Sequence, residues 1–326
     1  MTSAASLSSQ FYDLGPVRRI ERWLTAMPHP SFVVDISSTH VAAARWGKIN
    51  GALDSFAVEP LPVGSVMPSP VEMNVAQPDA VRSALRRVFD RVPAREHGLV
   101  LLIPDLVVRV FILPFDSLPR GADEALSLLR WRLKKSVPFD VDETVVSWMR
   151  QAGNAGNLEI VTAVGRQRII REYEEIVEGL DAKVGVVLSS TLATLPLLEE
   201  RGATLLVRMS GKTLTTVIVR AGSLCVYRST DMPSEAALLN PQAMLDEIFP
   251  AVAYYQDTWG GAVDWVRLAG LGAREEIFRR ALSEELKCPV GSLAESEGPQ
   301  RLDSGARDLL HQNLESLVGW TMNGGS

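Results

Sequence analysis

The chain has 326 residues, 46% hydrophobic and 22% charged, a balance that folds and a length that holds two domains with cores of their own. A formal net charge of −6 argues against nucleic acid, which needs a basic footprint, and the two cysteines, Cys225 and Cys288, read as reduced thiols rather than a disulfide framework. No apolar run approaches the roughly 18 residues of a membrane span and no apolar core opens the chain, so the reading is a soluble, cytoplasmic protein without a secretory signal.

Residues 1–30 begin Ser- and Ala-rich, give a short helical stretch from Val17 to Leu24, and read as an extension outside the fold. Arg18, Arg19 and Arg22 beside Trp23 suit a membrane surface or a partner helix, and equally a solvated helix packed on the domain. From Ser31 the pattern is of strands: Phe32 to Val34, His40 to Trp46 and Leu53 to Val58, the last two joined across Asn50-Gly51, a hairpin signal. A Pro-rich loop precedes a helix from Asp79 to about Val92, with Val81, Leu85, Val88 and Val92 on its apolar face. Leu99 to Ile103 and Val107 to Leu113 are strands.

Ala122 to Trp148 forms one unit of helix, turn and strand. Ala122, Leu126, Leu129 and Leu133 lie on one helical face, Pro138 disfavours helix at Val137, and an alternating run through Val145 and Trp148 follows. Leu158 to Val164 is a strand, Arg166 to Leu180 a helix, and Val184 to Leu188 with a helical stretch from Leu192 to Glu200 closes the first half at Gly202. The second half restarts with strands at Thr204–Met209, Thr213–Val219 and Ser223–Tyr227. A helix from Pro241 to about Thr258, bent or broken at Pro250, comes next. Trp265–Leu268 is a strand, Gly270-Leu271-Gly272 opens a helix through Leu286, and Asp303 to about Met322 reads as one last helix. Three strands then helices, twice over, predict an α/β protein of two lobes, each a mixed sheet covered by helices.

This duplication resembles the actin-like ATPase fold, and the unit at Arg130-Trp131-Arg132, Val137-Pro138-Phe139-Asp140 and Asp142-Glu143 resembles the PilM family of type IV pilus assembly. Phe32 to Val41 resembles that fold's first phosphate hairpin, Leu268 to Ala273 its adenosine turn, and Leu317-Val318-Gly319-Trp320 the family's apolar-Gly-apolar helix. The resemblance covers about residues 31 to 322. It implies a first actin-like lobe over 31–200 with an inserted subdomain at about 104–164, and a second over 201–326. It also implies a cytoplasmic scaffold at the inner face of the bacterial inner membrane. Such a scaffold holds the N-terminal peptide of a PilN-type membrane partner and meets the membrane through it, with oligomers open. Trp131, Val137, Pro138 and Phe139 are the candidate peptide contacts, with ordinary core packing as the alternative for each.

Departures from the family pattern bear on the cofactor. The first hairpin's Asp-Ile-Gly-Ser is Asp35-Ile36-Ser37-Ser38 here, and the lost glycine limits close backbone approach to a phosphate. In the second hairpin Asp-x-Gly becomes Arg208-Met209-Ser210, a cation where an acid would act through Mg²⁺. The adenosine turn keeps Gly270 and Gly272 around Leu271. If a nucleotide site is retained, ATP with Mg²⁺ meets Asp35, Ser37, Ser38, Arg208, Ser210, Gly270 and Gly272, with Arg208 on phosphate directly. The weighted reading is a degenerate site without cofactor or catalysis, in which Arg208 pairs with Asp35 or another acid.

His29, His40, His97 and His311 have no metal-ligand spacing, Ser37-Ser38 lacks a nucleophile elbow, Asp140, Asp142 and Glu143 fit a solvated turn, and no P-loop exists. Three rivals remain: an ATP-binding actin-like switch with slow or no hydrolysis, a sugar kinase on the same fold with no aspartate to serve it, and a GspL-like secretion-system domain. The last usually continues into a membrane span, which this sequence does not have.

Overall fold

The structure, a computed structural model, describes residues 30–47, 52–92, 98–153, 157–198, 202–234, 237–296 and 302–322. The expected extension before Pro30 and the Asn50-Gly51 turn lie outside the described residues. The chain starts with β1 (Phe32–Ile36), β2 (His40–Trp46) and β3 (Leu53–Pro60), crosses in helix α1 (Pro78–Arg91), and returns as β4 (Leu99–Ile103). It then builds a separate three-stranded sheet: β5 (Arg109–Phe115), helix α2 (Ala122–Leu133), β6 (Thr144–Ala152) and β7 (Leu158–Arg166), in the order β5-β7-β6. Helix α3 (Gln167–Glu178) leads back to β8 (Val184–Ser189) and the short α4 (Ser190–Thr194).

The second half repeats the plan with β9 (Ala203–Ser210), β10 (Thr213–Arg220), β11 (Ser223–Asp231), α5 (Pro241–Trp259), β12 (Trp265–Ala269), α6 (Glu275–Leu286) and β13 (Val290–Ser292). Both large sheets are five-stranded, ordered β3-β2-β1-β4-β8 and β11-β10-β9-β12-β13. Helices α7 (Ser304–His311) and α8 (Glu315–Met322) end the described chain. The fold is α/β and two-lobed, as the duplicated pattern predicts.

Strand periodicity decides what meets between the lobes. Successive strand side chains point to opposite faces. Val34 and Ile36 of β1 therefore pack outward with Leu85 and Tyr173 under α1 and α3, while Val33 joins Leu102, Leu206, Val217, Leu317 and Trp320 in one apolar core shared by both sheets. On β9 the same alternation sends Val207 and Met209 outward to Ile248 and Phe278, and Leu206 inward. Asp35 shares the face of Val33 and Arg208 that of Leu206, so the alternation aims both charges at the lobe interface.

Two elements differ from the sequence expectation, and at a third, the helix expected to be bent or broken at Pro250, the break does not occur. Helix α5 runs through Pro250 without interruption. Proline removes one main-chain bond, and burial of Met244, Ile248, Ala251 and Tyr255 holds the helix on both sides of it. The single last helix is two, because Asn313 adopts φ +60° and ends α7. Its N–H donates to Leu310 O at 3.1 Å and that of Leu314 to Leu309 O at 2.9 Å, a left-handed cap that asparagine tolerates. The strand expected from Val107 starts at Arg109, because Asp105–Val107 forms a 3-10 turn that carries the Asp105 side chain into the interface.

Candidate functional site: a charged inter-lobe cluster and the groove beside it

Arg208 and Asp35 occupy matching places. Each stands two residues before a serine at the turn of its lobe's first hairpin, and each strand pairs in parallel with the strand on its other side, Asp35 opposite Leu102 and Arg208 opposite Ala269. They do not pair with each other. Arg208 Nε donates to Glu315 Oε1 at 2.5 Å, and its Nη1 donates to Asp105 Oδ2 at 3.3 Å and Thr191 Oγ1 at 3.2 Å. All three ionic groups are buried. Asp105 further accepts from Thr191 N (2.8 Å), Thr191 Oγ1 (2.6 Å), Thr215 Oγ1 (3.0 Å) and Tyr227 OH (3.2 Å). Asp35 takes hydroxyls instead, accepting from Ser190 Oγ at 3.1 Å and Ser316 Oγ at 2.5 Å.

The break at Asn313 makes this arrangement possible. It starts α8 at Glu315 and Ser316, adjacent residues that serve Arg208 of one lobe and Asp35 of the other. Gly319 lets the helix sit this deep, since a Cβ there would collide with Ala193 O in α4. Burial works against the Arg208 charge, but Glu315, then Asp105 and Asp35, hold its guanidinium above the ordinary arginine value. Burial also pushes the Asp35 carboxyl up and the His40 imidazole down, each toward its neutral form, against their mutual attraction. The Tyr227 hydroxyl is raised well above its usual value by burial and by the Asp105 charge.

The hairpin turns are closed as well. Ser37 Oγ accepts from the N–H groups of Thr39 (3.2 Å) and His40 (3.0 Å), so a side chain already holds amides of the first turn. The second turn bears against it, and a Cβ at Gly211 would collide with Ser38 Oγ. Ser210 is half-buried before Gly211. Gly270 has φ +73° and lies so close to Met209 O that a Cβ cannot fit, and Leu271 beside it is buried in the outer core of the second lobe. Gly272 is exposed, with open space where its Cβ would point. Among the described residues no group of three or more His, Cys, Asp and Glu could hold a metal ion.

Tyr227 joins this cluster to a groove of about 670 Å³ lined by β5, the Lys135–Pro138 turn and β11. Val137 and Pro138 line the groove, whereas Trp131 and Phe139 do not. Trp131 is 70% exposed on α2, and Phe139 is half-buried against the small cluster of Val137, Val141 and Phe111. The sequence reading named Arg208 and Asp35 but missed Asp105, Ser190, Thr191, Tyr227, Glu315 and Ser316. Two of these carried a signal: Asp105 comes just after the fully apolar strand Leu99–Ile103, and Glu315 is the one charged residue of a mostly apolar helix.

No family model and no curated protein matches this sequence. Solved structures do. A chain of a PilM-PilN type IV pilus biogenesis complex is 15% identical over 91% of this chain and 98% of its own, with a TM-score of 0.70. A Bacteroides thetaiotaomicron protein of actin-like ATPase fold and unknown function is 12% identical over 90% of this chain and 98% of its own, with a TM-score of 0.50. The cytoplasmic domain of EpsL, an inner membrane component of the Vibrio cholerae type II secretion system, is more distant, 12% identical over 73% of this chain and 81% of its own, with a TM-score of 0.46. The chain has the actin-like ATPase fold, in an arrangement shared with the chain from the PilM-PilN complex.

Proposed function

We propose that this protein is a PilM-like scaffold of a type IV pilus or related secretion platform. It works at the cytoplasmic face of the inner membrane and holds the N-terminal peptide of a PilN-type membrane partner in the groove beside β5. Its nucleotide cleft is filled by its own side chains and it does not turn over ATP. The observation that carries the reading is Arg208, buried between Glu315 and Asp105 where the actin-like fold presents an acid. The donor set does not fit Mg²⁺-ATP: each Asp35 oxygen already accepts a hydroxyl, Asp105 accepts from Thr191, Thr215, Tyr227 and Arg208, Ser37 holds the first-turn amides, and the two turns meet at Ser38 and Gly211. Likeness to the chain from a PilM-PilN complex supports the partner class. Among the described residues no helix is long and apolar enough to cross a membrane, which suits a part recruited through a partner.

Thermal unfolding with and without millimolar Mg²⁺-ATP tests the filled cleft. A nucleotide at a hundredfold excess over its dissociation constant would add about 2.7 kcal/mol by mass action, and no shift is expected here. A shift that Gly272→Trp abolishes would restore the nucleotide switch. For the partner, a photo-crosslinker at Pro138 in cells should give adducts on the cytoplasmic N-terminus of a single-pass membrane protein. Adducts confined to soluble proteins would overturn that half.

A further inference from the structure

We infer that the groove is built for an extended segment in which apolar side chains alternate with carboxylates. The inference rests on the proposed function and names the chemistry of the peptide. Among the described residues β5 pairs with β7 alone and so offers the groove an unpaired strand edge, while the outer edge of β11 is already held at Leu224, whose N–H and C=O bond the Gln151 amide. Unpaired edges accept an added strand, with main-chain bonds giving affinity and alternate side chains giving specificity. The apolar wall is Leu106, Val108, Val110, Phe111 and Val137, and among the described residues no carboxylate lines the groove. Three cations do: Arg109, Lys135 and Arg228. Arg228 is paired with Glu247 at 2.9 Å, whereas Arg109 and Lys135 have no ion-pair partner among the described residues. On a chain of net charge −6, two unpaired cations at the mouth of an apolar groove select a ligand of opposite sign.

The floor links this ligand to the lobe interface. Tyr227 lines the groove while its hydroxyl donates to Asp105, and Ser229 lines it while bonding Thr215, another Asp105 donor. A segment seated there rests on residues that Arg208 and its acids hold in place.

Fluorescence anisotropy on the full chain tests the proposal with three labelled probes: a valine–glutamate alternating peptide and its valine–lysine and valine–serine counterparts. The glutamate peptide should bind about tenfold more tightly than the lysine peptide, since two exposed charge pairs turn from weak attraction to weak repulsion between them. The preference should shrink between about 0.05 M and about 0.3 M salt as screening sets in. It should invert in Arg109→Glu/Lys135→Glu, and Ser136→Trp at the mouth should weaken all three probes. Equal affinities, or tighter binding of the lysine peptide, with Ser136→Trp still disruptive, overturn the charge inference and leave the groove as a peptide site. Binding of no probe, or binding indifferent to Ser136→Trp, overturns both.

Discussion

The first hairpins of the two lobes are the same object with opposite charges. β1–β2 and β9–β10 hold equivalent places in sheets of equivalent order, and each aims one ionisable side chain at the interface, Asp35 from the first and Arg208 from the second. The acid is met by hydroxyls and the cation by acids. The difference follows from the cost of burial. A carboxyl can be pushed toward its neutral form and then needs only hydrogen bonds, while a guanidinium stays charged and must find opposite charge. Duplicated geometry therefore does not imply duplicated chemistry, and the second lobe depends on the first, which supplies Asp105, for its neutrality.

The sharpest way to break the comparison is Arg208→Met. It strands Glu315 and Asp105 as buried acids without a cation and should cost about 3–5 kcal/mol in urea unfolding. Arg208→Met/Glu315→Leu should recover part of that loss, with a coupling of about 1–3 kcal/mol in a double-mutant cycle. Strict additivity would mean the two groups do not act as a pair. Asp35→Asn should cost less, about 1–2 kcal/mol, because an amide keeps one acceptor for Ser190 or Ser316 and no opposite charge is stranded. A loss as large as that of Arg208→Met would mean that Asp35, like Arg208, depends on opposite charge rather than on its hydroxyl donors. Ser37→Gly, which gives the first turn back a glycine, should cost about 0.5–1.5 kcal/mol through the freed amides, read as a drop in melting temperature.

The smallest effect is in the pH dependence. Burial lowers the His40 pKa from 6.5, so below that value the unfolded chain takes a proton that the folded chain refuses, and stability falls as pH drops. Asp35 acts in the other sense: its raised pKa favours the fold at low pH and costs stability as pH climbs out of the carboxylate range. Urea midpoints measured from about pH 7.5 to about pH 5.5 should therefore decline, and His40→Gln should flatten the decline. An unchanged slope would remove His40 as its cause.

Much of this fold is legible in the sequence because strand periodicity is local. The apolar run of β4, the alternation of β6 and the three strands that open each half all appear where the residues predict them, and that repetition carried the actin-like assignment. The cluster is legible only in halves. Asp35 and Arg208 can be found as departures from a hairpin pattern, but their partners come from the 3-10 turn after β4, the start of α4 and the start of α8. Only the closed sheets bring those three stretches together. The Asn313 break was missed for a related reason: the apolar spacing of Leu310, Leu314 and Leu317 continues across it, so periodicity alone reads one helix where a left-handed residue makes two. On the groove, a motif could nominate Val137 and Pro138, while the cations of β5 and β11 become neighbours only in three dimensions.

The placement of Glu315 and Ser316 has a consequence for how the chain is made. Synthesis runs from the amino end, so the first hairpin, the Asp105 turn and the second hairpin all leave the ribosome before α8 exists. Until Glu315 follows, Arg208 lacks the acid that its Nε bonds, and Asp35 lacks one of its two hydroxyl donors. The lobes can form in order, but the contact that neutralises their interface arrives with the last helix described. A chain that stops short of residue 315 should therefore form both sheets and still leave the lobes unlatched, to be cleared by proteases as an incomplete product.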